Sequence, residues 1–411
     1  MKASDDTTPH RKTEKLYLDK NLQIIFAVTL MAVLGVASIS PAFPVIGPNL
    51  GLTYPYTELG LLITIFTLPA IVLSPVFGMT SDKYGRKKIL TPSLLLFSLA
   101  GSLCAFTPNF TILLFLRFFQ GIGAAALGVL NVTIIGDLYT GKTRTTALGY
   151  NSSILSVGTG SWPLIGGALG TITWFTPFLL PLIALPIAVI ALFKLESPEP
   201  SLKQTLREYF KETWSIIKKP KILVLFTAGV MNFFIIYGVW ITFMPMLLSS
   251  KFTLIPLYIG IVQSSASFIG AAVSTQVGKL ARKHSEWNVL KITYILYAIG
   301  VFIIPFIQEI WLITIPIILI GFALGLNGPL IQALVAEETS INQRGAILSS
   351  LGMMLRIGQT TGPGIMMFIS AIFGFNSIFT AGALFALAVL TILFATSSVV
   401  RKSSRKNSET M

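Results

Sequence analysis

Residues 110–136 read FTILLFLRFFQGIGAAALGVLNVTIIG, a stretch in which Arg117 is the single charged residue. A helix needs about 20 mostly apolar residues to cross the hydrocarbon core of a bilayer, so this stretch is long enough to span a membrane. On the same criterion the sequence predicts an all-α integral membrane protein with twelve transmembrane helices. The predicted spans lie near residues 22–46, 58–80, 89–106, 110–136, 146–170, 173–193, 222–248, 257–278, 290–307, 311–336, 346–371 and 376–398.

Composition agrees with lipid as the main solvent. Of the 411 residues, 53% are hydrophobic and 11% are charged, whereas a soluble protein carries about 25% charged residues. Cys104 is the one cysteine, which excludes a disulfide framework and a cysteine-based metal site. His10 and His284 lie in charged stretches and are not read as ligands or bases. We expect no metal and no cofactor.

The distribution of positive charge predicts the orientation in the membrane. With the N-terminus inside, nearly all of the 30 Lys and Arg fall in the tails and in the connections that face the cytoplasm. Lys251 lies in an outside loop, and Arg117 and Arg356 lie within spans. The net charge of +14 is therefore a property of the cytoplasmic face, not of a basic domain that binds nucleic acid. The first span has no cleavage site, so we expect a multi-pass protein of the inner (plasma) membrane with both termini cytoplasmic.

The spans divide into two halves joined by a charged connection. We predict a cytoplasmic N-terminal tail over 1–21, a six-helix bundle over 22–193, a linker over 194–221, a second six-helix bundle over 222–398 and a cytoplasmic tail over 399–411. In the linker, apolar residues recur at helical spacing after a sequence that resembles a capping box. They predict a short amphipathic helix on the inner membrane surface: Leu202, Leu206, Phe210, Trp214 and Ile217.

An internal repeat relates the two halves. A shift of 200 residues aligns glycines, an acid, an arginine and a proline without a gap: Gly60 with Gly260, Gly78 with Gly278, Gly121 with Gly321, Gly128 with Gly328, Asp137 with Glu337, Arg144 with Arg344, Gly158 with Gly358 and Pro163 with Pro363. Two parallel halves of this kind predict pseudo-symmetric bundles around a central cavity, with a site near the midplane.

Polar side chains within the spans indicate which helices face that cavity, because lipid-facing helices cannot keep unpaired amides or charges. Arg117 and Arg356 are the sharpest of these, since an arginine deep in a span needs an anion, a carbonyl or water. Both are expected to face the cavity, where an arginine fork suits a carboxylate or phosphate; packing against helix carbonyls is the alternative. The candidate substrate-binding residues are Arg117, Arg356, Asn232, Tyr237, Trp240, Gln263, Asn327 and Gln359.

Three motifs resemble those of the major facilitator superfamily. Residues 78–88, GMTSDKYGRKK, resemble its signature loop between the second and third spans. Gly85 permits a tight turn there, while Asp82 and Arg86 can make charge-assisted bonds to helix ends and to Asp137. The loop is predicted to act as a cytoplasmic latch, and the gating or coupling residues are expected to be Asp82, Arg86, Arg117, Asp137, Arg144, Glu337 and Arg344.

Two further segments resemble the twelve-span drug–proton antiporter branch of that superfamily. Residues 117–125, RFFQGIGAA, are similar to the fourth-span motif whose arginine is implicated in proton coupling. Residues 158–167, GTGSWPLIGG, are similar to the fifth-span antiporter motif, with Trp162 where a glycine usually precedes the proline. Small residues there let helices approach closely, which assigns a packing role to Gly158, Pro163, Gly166 and Gly167.

The resemblance implies a secondary active transporter, not an enzyme, that exports a small amphipathic organic compound such as a drug, a metabolite or a siderophore-like chelator. The acids that the branch carries in its first or seventh span have no counterpart here, so a proton antiporter, a uniporter and an anion exchanger all stay open. An importer of an organic anion is the nearest alternative, and a membrane receptor is the alternative outside transport. The expected partners are a small-molecule substrate, protons if transport is coupled, and the lipid bilayer around a monomer.

Overall fold

A computed structural model describes residues 13–196, 218–339 and 344–408. The described residues form long helices joined by short connections, and a short 3-10 helix at Thr13–Leu18 precedes them. The long helices are α1 Lys20–Asn49, α2 Thr57–Tyr84, α3 Arg86–Phe106, α4 Phe110–Leu138, α5 Gly141–Ile172, α6 Thr176–Lys194, α7 Pro220–Phe252, α8 Pro256–Ser274, α9 Glu286–Phe306, α10 Ile310–Glu337, α11 Arg344–Phe373 and α12 Ser377–Ser408.

Ten of these helices are long and apolar enough to cross a membrane within the part of the chain that is described. The other two, α5 and α11, have 32 and 30 residues but a more polar composition. Each predicted span overlaps one of the twelve helices, and the all-α prediction is confirmed. α12 continues to Ser408, well beyond the predicted end of the last span. Most of the predicted amphipathic helix of the linker, residues 197–217, lies outside the described residues.

Local sequence explains several helix ends. The Asp19 carboxylate accepts hydrogen bonds from the backbone N–H groups of Asn21 and Leu22, and so caps the start of α1. The Asn109 side chain does the same for α4 through the N–H of Ile112. Between α2 and α3 the chain turns at Gly85 with a φ of 100°, a conformation that side chains disfavour. That single residue reverses the chain in the signature loop.

The internal repeat is visible in the packing of the helices. A Cβ added to Gly121 would lie 2.1 Å from the carbonyl oxygen of Phe66, and one on Gly321 would lie 2.9 Å from that of Ala266. A Cβ on Gly158 would lie 3.0 Å from the Leu30 side chain, and one on Gly358 would lie 2.0 Å from the carbonyl oxygen of Val230. Each of these contacts and its counterpart differ by the same 200-residue shift. Corresponding pairs of helices within the two halves therefore pack together through glycines at equivalent positions.

One end of the molecule is closed by contacts between the two halves of the chain. We call it the closed end; it contains the C-terminal parts of α5 and α11 and the N-terminal parts of α2 and α8. A Cβ on Gly260 would lie 2.3 Å from the carbonyl oxygen of Pro163, and Gly60 faces Pro363 at 3.4 Å. The Thr64 hydroxyl donates to the carbonyl of Thr360 over 3.0 Å, again joining α2 to α11. These two seams are related by the repeat.

The opposite end, which carries the Arg86 loop and which we call the basic end, is open between the halves. A Cβ on Gly149 of α5 or on Gly352 of α11 would have no neighbour within 4 Å among the described residues. Val72, near the middle of α2, is 67% exposed. The two halves thus diverge toward the basic end and converge at the closed end.

Lys291 is the second residue of the predicted ninth span, 290–307, although the charge pattern counts it with the cytoplasmic connections. The structure buries it inside α9, with its ammonium group 4.6 Å from the ring centroid of Phe394 on α12. A lysine one turn inside a helix can extend its chain along an aromatic face and keep its charge near the surface.

Candidate functional site

A cavity lies between the two halves of the chain. Helices of the second half contribute Tyr237 from α7 and Arg356 and Gln359 from α11. The facing wall belongs to the first half and is mostly apolar: Ala32, Val33, Val36, Phe66, Thr67, Ala70 and Ala124. A few converging polar groups against an apolar wall are typical of small-molecule sites.

Arg356 is the charged group of this cavity. Its Nη1 donates to Oε1 of Gln359 over 2.8 Å, which orients the guanidinium from one turn away on the same helix. Its Nη2 extends to α4 of the other half, where it lies 3.0 Å from the position that a Cβ on Gly128 would occupy. A guanidinium has five N–H donors, and within the described residues that one bond to Gln359 is its hydrogen bond to protein. The remaining donors are free to bind an acceptor in the cavity.

Tyr237 lies on a π-helical turn, Ile236–Ile241, inside α7. At this turn α7 packs closely on α11: the backbone of Gly362 lies within 3.0 Å of the position that a Cβ on Gly238 would occupy. The Thr242 hydroxyl donates a hydrogen bond to the carbonyl of Tyr237. The Tyr237 ring stacks on Phe233, with ring centroids 5.7 Å apart and planes 10° apart. Such π turns occur frequently at functional sites because they shift side chains out of helical register.

Arg117 does not line this cavity, contrary to the expectation from the sequence. It is 1% exposed and is held between α1, α2 and α4. Its Nη2 donates to the carbonyl of Gly35 over 2.6 Å, its Nε to that of Leu62 over 3.2 Å and its Nη1 to Oε1 of Gln120 over 2.6 Å. The guanidinium of Arg117 is therefore hydrogen-bonded to carbonyls of neighbouring helices. In this conformation Arg117 fits the alternative expectation, that it packs against helix carbonyls.

Four other predicted substrate residues lie outside the lining of the cavity. Asn232 accepts a 2.7 Å hydrogen bond from the Tyr297 hydroxyl of α9, and Asn327 on α10 is 1% exposed. Gln263 on α8 belongs to the closed end, where its Nε2 donates to the hydroxyl of Ser40 over 2.9 Å and approaches the carbonyl of Trp240 at 3.3 Å. The structure thus separates these amides and Trp240 from Arg356.

The Ser40 hydroxyl links the halves within the closed end. It donates to the carbonyl of Ile241, on the π-helical turn, and receives the bond from Gln263. Ser40 is fully buried, so this polar junction is out of contact with water. The sequence analysis did not single out Ser40, and the one signal for it was a polar residue near the end of the first span.

The four predicted packing residues divide between two interfaces. A Cβ on Gly158 would lie 3.0 Å from Leu30 of α1, and one on Gly166 would lie 1.8 Å from the carbonyl oxygen of Ser38. Gly167 instead faces the other half, at 2.4 Å from the carbonyl of Pro256, and Pro163 meets Gly260 there. The indole N–H of Trp162 donates to the carbonyl of Leu30 over 3.0 Å, so the residue that departs from the motif also joins α5 to α1.

At the basic end, Arg86 joins three helix ends. Its Nε donates to Oδ2 of Asp137 at the end of α4 over 2.8 Å, and its Nη2 pairs with Asp82 at the end of α2. Its Nη1 donates to the hydroxyl of Ser81 and to the carbonyl of Gly78. The contacts expected from the sequence are therefore present, and all of them lie within the first half of the chain.

The remaining predicted coupling residues lie nearby. The guanidinium of Arg144 on α5 lies 3.3 Å from a Cβ position on Gly136 of α4. In the second half, Glu337 lines a surface pocket with Glu286 and Glu338, and Lys221 pairs with Glu338 over 2.6 Å. Arg344 begins α11, but its side chain is outside what the structure describes. The roles of these residues in gating or coupling stay predictions.

Helices long enough to cross a bilayer, a cavity between two repeated halves, and one closed and one open end define a membrane transporter. The sequence model of the Major Facilitator Superfamily matches residues 25–340 and 241–410. The chain belongs to the Major Facilitator Superfamily.

Curated relatives include an antibiotic resistance protein and an exporter. The tetracycline resistance protein, class H, of Pasteurella multocida is 26% identical over 396 residues, which cover 92% of this chain and 96% of the relative. The bacillibactin exporter of Bacillus subtilis is 25% identical over 368 residues, covering 84% and 89%. A solved structure of a bacterial homolog of the human lysosomal transporter Spinster superposes with a TM-score of 0.75 at 18% identity, covering 92% of this chain and 96% of that one.

Proposed function

We propose that this protein is a secondary active exporter that moves a small amphipathic organic compound across the plasma membrane by alternating access. The observation that carries the proposal is the cavity in which Arg356, Gln359 and Tyr237 face an apolar wall from the other half of the chain. An amphipathic compound fits both kinds of surface. The bacillibactin exporter among the relatives supports export and not import, and the tetracycline resistance protein is consistent with it.

The proposed architecture has all twelve helices crossing the membrane as two six-helix bundles. α5 and α11 are less apolar than the other ten because they line the boundary between the bundles instead of facing lipid on all sides. The paired seams at the closed end, Gly260 with Pro163 and Gly60 with Pro363, support a pseudo-twofold arrangement of this kind. Rocking one bundle against the other would open these seams and close the basic end.

The basic end is proposed to face the cytoplasm, because the positively charged connections lie there. The conformation described here is then inward-facing, with the cavity reached from the cytoplasm. Both chain ends are on the same side in this arrangement. Substrate loading from the cytoplasm before outward release is the order that an exporter requires.

Transport in inverted membrane vesicles tests the proposal. Vesicles that contain the wild-type protein should accumulate radiolabelled tetracycline or a labelled quinolone when their interior is made acidic, and a protonophore should abolish the accumulation. Arg356→Gln should transport poorly, whereas Lys88→Gln, which removes an exposed positive charge from the Arg86 loop, should match wild type. Accumulation that is insensitive to the pH gradient and to the protonophore would replace antiport by uniport or exchange.

Import or exchange of an organic anion is the second candidate. It is favoured by the charge of the cavity, because Arg356 is positive and no carboxylate is among the described residues that line it. Right-side-out vesicles loaded with an organic anion should then take up a second labelled anion faster than empty vesicles. A protein that binds such a compound but moves it in neither vesicle orientation would instead be a receptor.

A further inference from the structure

Phe66 lies between the two arginines of the membrane interior. On one side Phe66 lines the cavity together with Arg356 and Tyr237. On the other side the guanidinium carbon of Arg117 is 4.3 Å from the ring centroid, within the range of a cation–π contact. The Phe66 ring therefore separates the buried charge of Arg117 from the space in which Arg356 is accessible.

The position of the ring is fixed by two glycines. A Cβ on Gly35 would lie 2.4 Å from the Cζ atom of Phe66, so the tip of the ring occupies the space that any larger residue there would need. A Cβ on Gly121 would lie 2.1 Å from the Phe66 carbonyl oxygen, so the backbone of α2 is seated directly on α4. Phe66 is 5% exposed. The ring is wedged in place and shields Arg117 in this conformation.

The shield belongs to the first half alone. At the positions related by the repeat, the second half carries Ala266 in place of Phe66 and Ile317 in place of Arg117. The equivalent contact of α8 with α10 forms without a cation or an aromatic ring, because Gly321 packs directly against Ile269 and the carbonyl of Ala266. The aromatic ring in α2 is therefore not a requirement of the packing that the two halves share.

We propose that Phe66 is a specificity-determining residue that sets the charge of the accepted substrate. By covering Arg117, it leaves the cavity with one accessible guanidinium, that of Arg356, which suits an amphipathic monoanion. A second anionic group on the substrate would face the Phe66 ring and apolar side chains, where it would lose hydration without gaining a partner. This inference rests on the proposed function in one respect, that the cavity at Arg356 is the substrate site.

Three compounds that share one apolar body test the inference: naphthalene sulfonamide, naphthalene monosulfonate and naphthalene disulfonate. Their affinities for purified full-length protein in detergent are measured by isothermal titration calorimetry. Wild type should bind the monosulfonate more tightly than the neutral sulfonamide, and the disulfonate no more tightly than the monosulfonate. Phe66→Ala should improve the affinity for the disulfonate at least tenfold relative to the monosulfonate, because Arg117 then becomes accessible.

Matched variants separate this explanation from a general loosening of the helices. Phe66→Ala combined with Arg117→Gln should lose the gain for the disulfonate. Phe66→Leu, which keeps an apolar cover, should behave as wild type, and so should Phe368→Ala, which removes a ring that is 65% exposed on α11. Gly35→Ala displaces the ring from the opposite side and should reproduce the gain, which keeps the test decisive where Phe66→Ala does not fold.

The inference is overturned by an unchanged ratio of disulfonate to monosulfonate affinity in both Phe66→Ala and Gly35→Ala, or by a gain that persists after Arg117→Gln. It is also overturned if wild type and Arg356→Gln bind the monosulfonate equally. Binding in detergent requires neither a gradient nor a direction of transport. Failure of export in vesicles with the charge preference intact would therefore reject the proposed function while leaving Phe66 as the residue that sets that preference.

Discussion

Gly260 of α8 packs directly against Pro163 on α5. The carbonyl oxygen of Pro163 lies 2.3 Å from the position that a Cβ on Gly260 would occupy. Its counterpart in the repeat, Gly60, faces the carbonyl of Pro363 at 3.4 Å, which is an ordinary van der Waals distance. The two seams that close one end of the molecule are therefore related by sequence but differ in tightness. The α5–α8 seam has no room for a methyl group, and the α2–α11 seam has.

Gly260→Ala should consequently open the closed end, whereas Gly60→Ala should not. Overpacking costs about 1–3 kcal/mol, and about 1.4 kcal/mol changes the ratio of two conformations tenfold. The measurement is the rate at which a membrane-impermeant maleimide, added to whole cells, labels a cysteine at Ala32 in a Cys104→Ser background. We expect labelling to accelerate several-fold in Gly260→Ala and to stay at the wild-type rate in Gly60→Ala. Equal rates in both variants would contradict the difference between the seams.

The Ser40 hydroxyl should contribute to the same closure through its bonds to Ile241 and Gln263. A typical internal hydrogen bond contributes about 1 kcal/mol, so Ser40→Ala should raise the labelling rate at Ala32→Cys about fivefold. Ser38→Ala is the matched control, because the hydroxyl of Ser38 bonds Leu34 within its own helix over 2.8 Å. If the Ser38 and Ser40 variants label at the same rate, the junction does not hold the closed end.

Arg86 should stabilise the basic end of the first half because it holds Asp82 and Asp137 together there. Its side chain is 12% exposed, so these bonds are better protected than those of an isolated surface pair. Arg86→Ala leaves two carboxylates near each other without their shared cation. We expect it to insert normally and to transport at least fivefold more slowly than wild type in inverted vesicles.

Lys88→Gln is the control for this loop, since it removes an exposed positive charge without touching the carboxylates. In a double-mutant cycle, the effects of Arg86→Ala and Asp137→Asn on the transport rate should be strongly non-additive, because each removes the same ion pair. Additive effects, or wild-type rates in both variants, would leave Arg86 as a local feature of the turn.

Contacts between oppositely charged side chains could be predicted from the sequence, whereas hydrogen bonds from side chains to backbone carbonyls could not. Arg86, Asp82 and Asp137 have complementary charges at the ends of neighbouring helices, and the structure brings them into contact. Arg117 was misplaced because its partners include the carbonyls of Gly35 and Leu62, and a carbonyl leaves no residue-type signal. A search for side-chain partners therefore pointed Arg117 toward the cavity.

The division of polar residues among the helices was similarly incomplete. Tyr237, Arg356 and Gln359 were predicted as substrate residues and share one cavity. Gln263 was grouped with them, but the π-helical turn directs the carbonyls of Trp240 and Ile241 toward it and makes it part of the closed end. The turn depends on the tertiary approach of Gly238 to Gly362, which a helical periodicity cannot reveal.

The two arginines should respond differently to the same substitutions. Arg356 makes one hydrogen bond to protein within the described residues and faces the cavity, so Arg356→Gln removes a charge that the substrate can meet. Arg117 is buried and makes three hydrogen bonds, and bonds to charged groups contribute about 1.5–3 kcal/mol each. Its replacement should therefore affect stability first.

For Arg356→Gln we expect affinity for naphthalene monosulfonate to fall at least tenfold, with little change for the neutral sulfonamide and no loss of thermal stability. Arg356→Lys should recover part of the loss, because it restores the charge without the planar fork that reaches Gly128. Arg117→Gln should lower the melting temperature and weaken both ligands equally. Calorimetric titration and thermal unfolding in detergent measure these effects. If Arg356→Gln lowers the affinity for both ligands equally, Arg356 has only a packing role. If Arg117→Gln lowers the affinity for the anion alone, the substrate reaches Arg117 in another conformation.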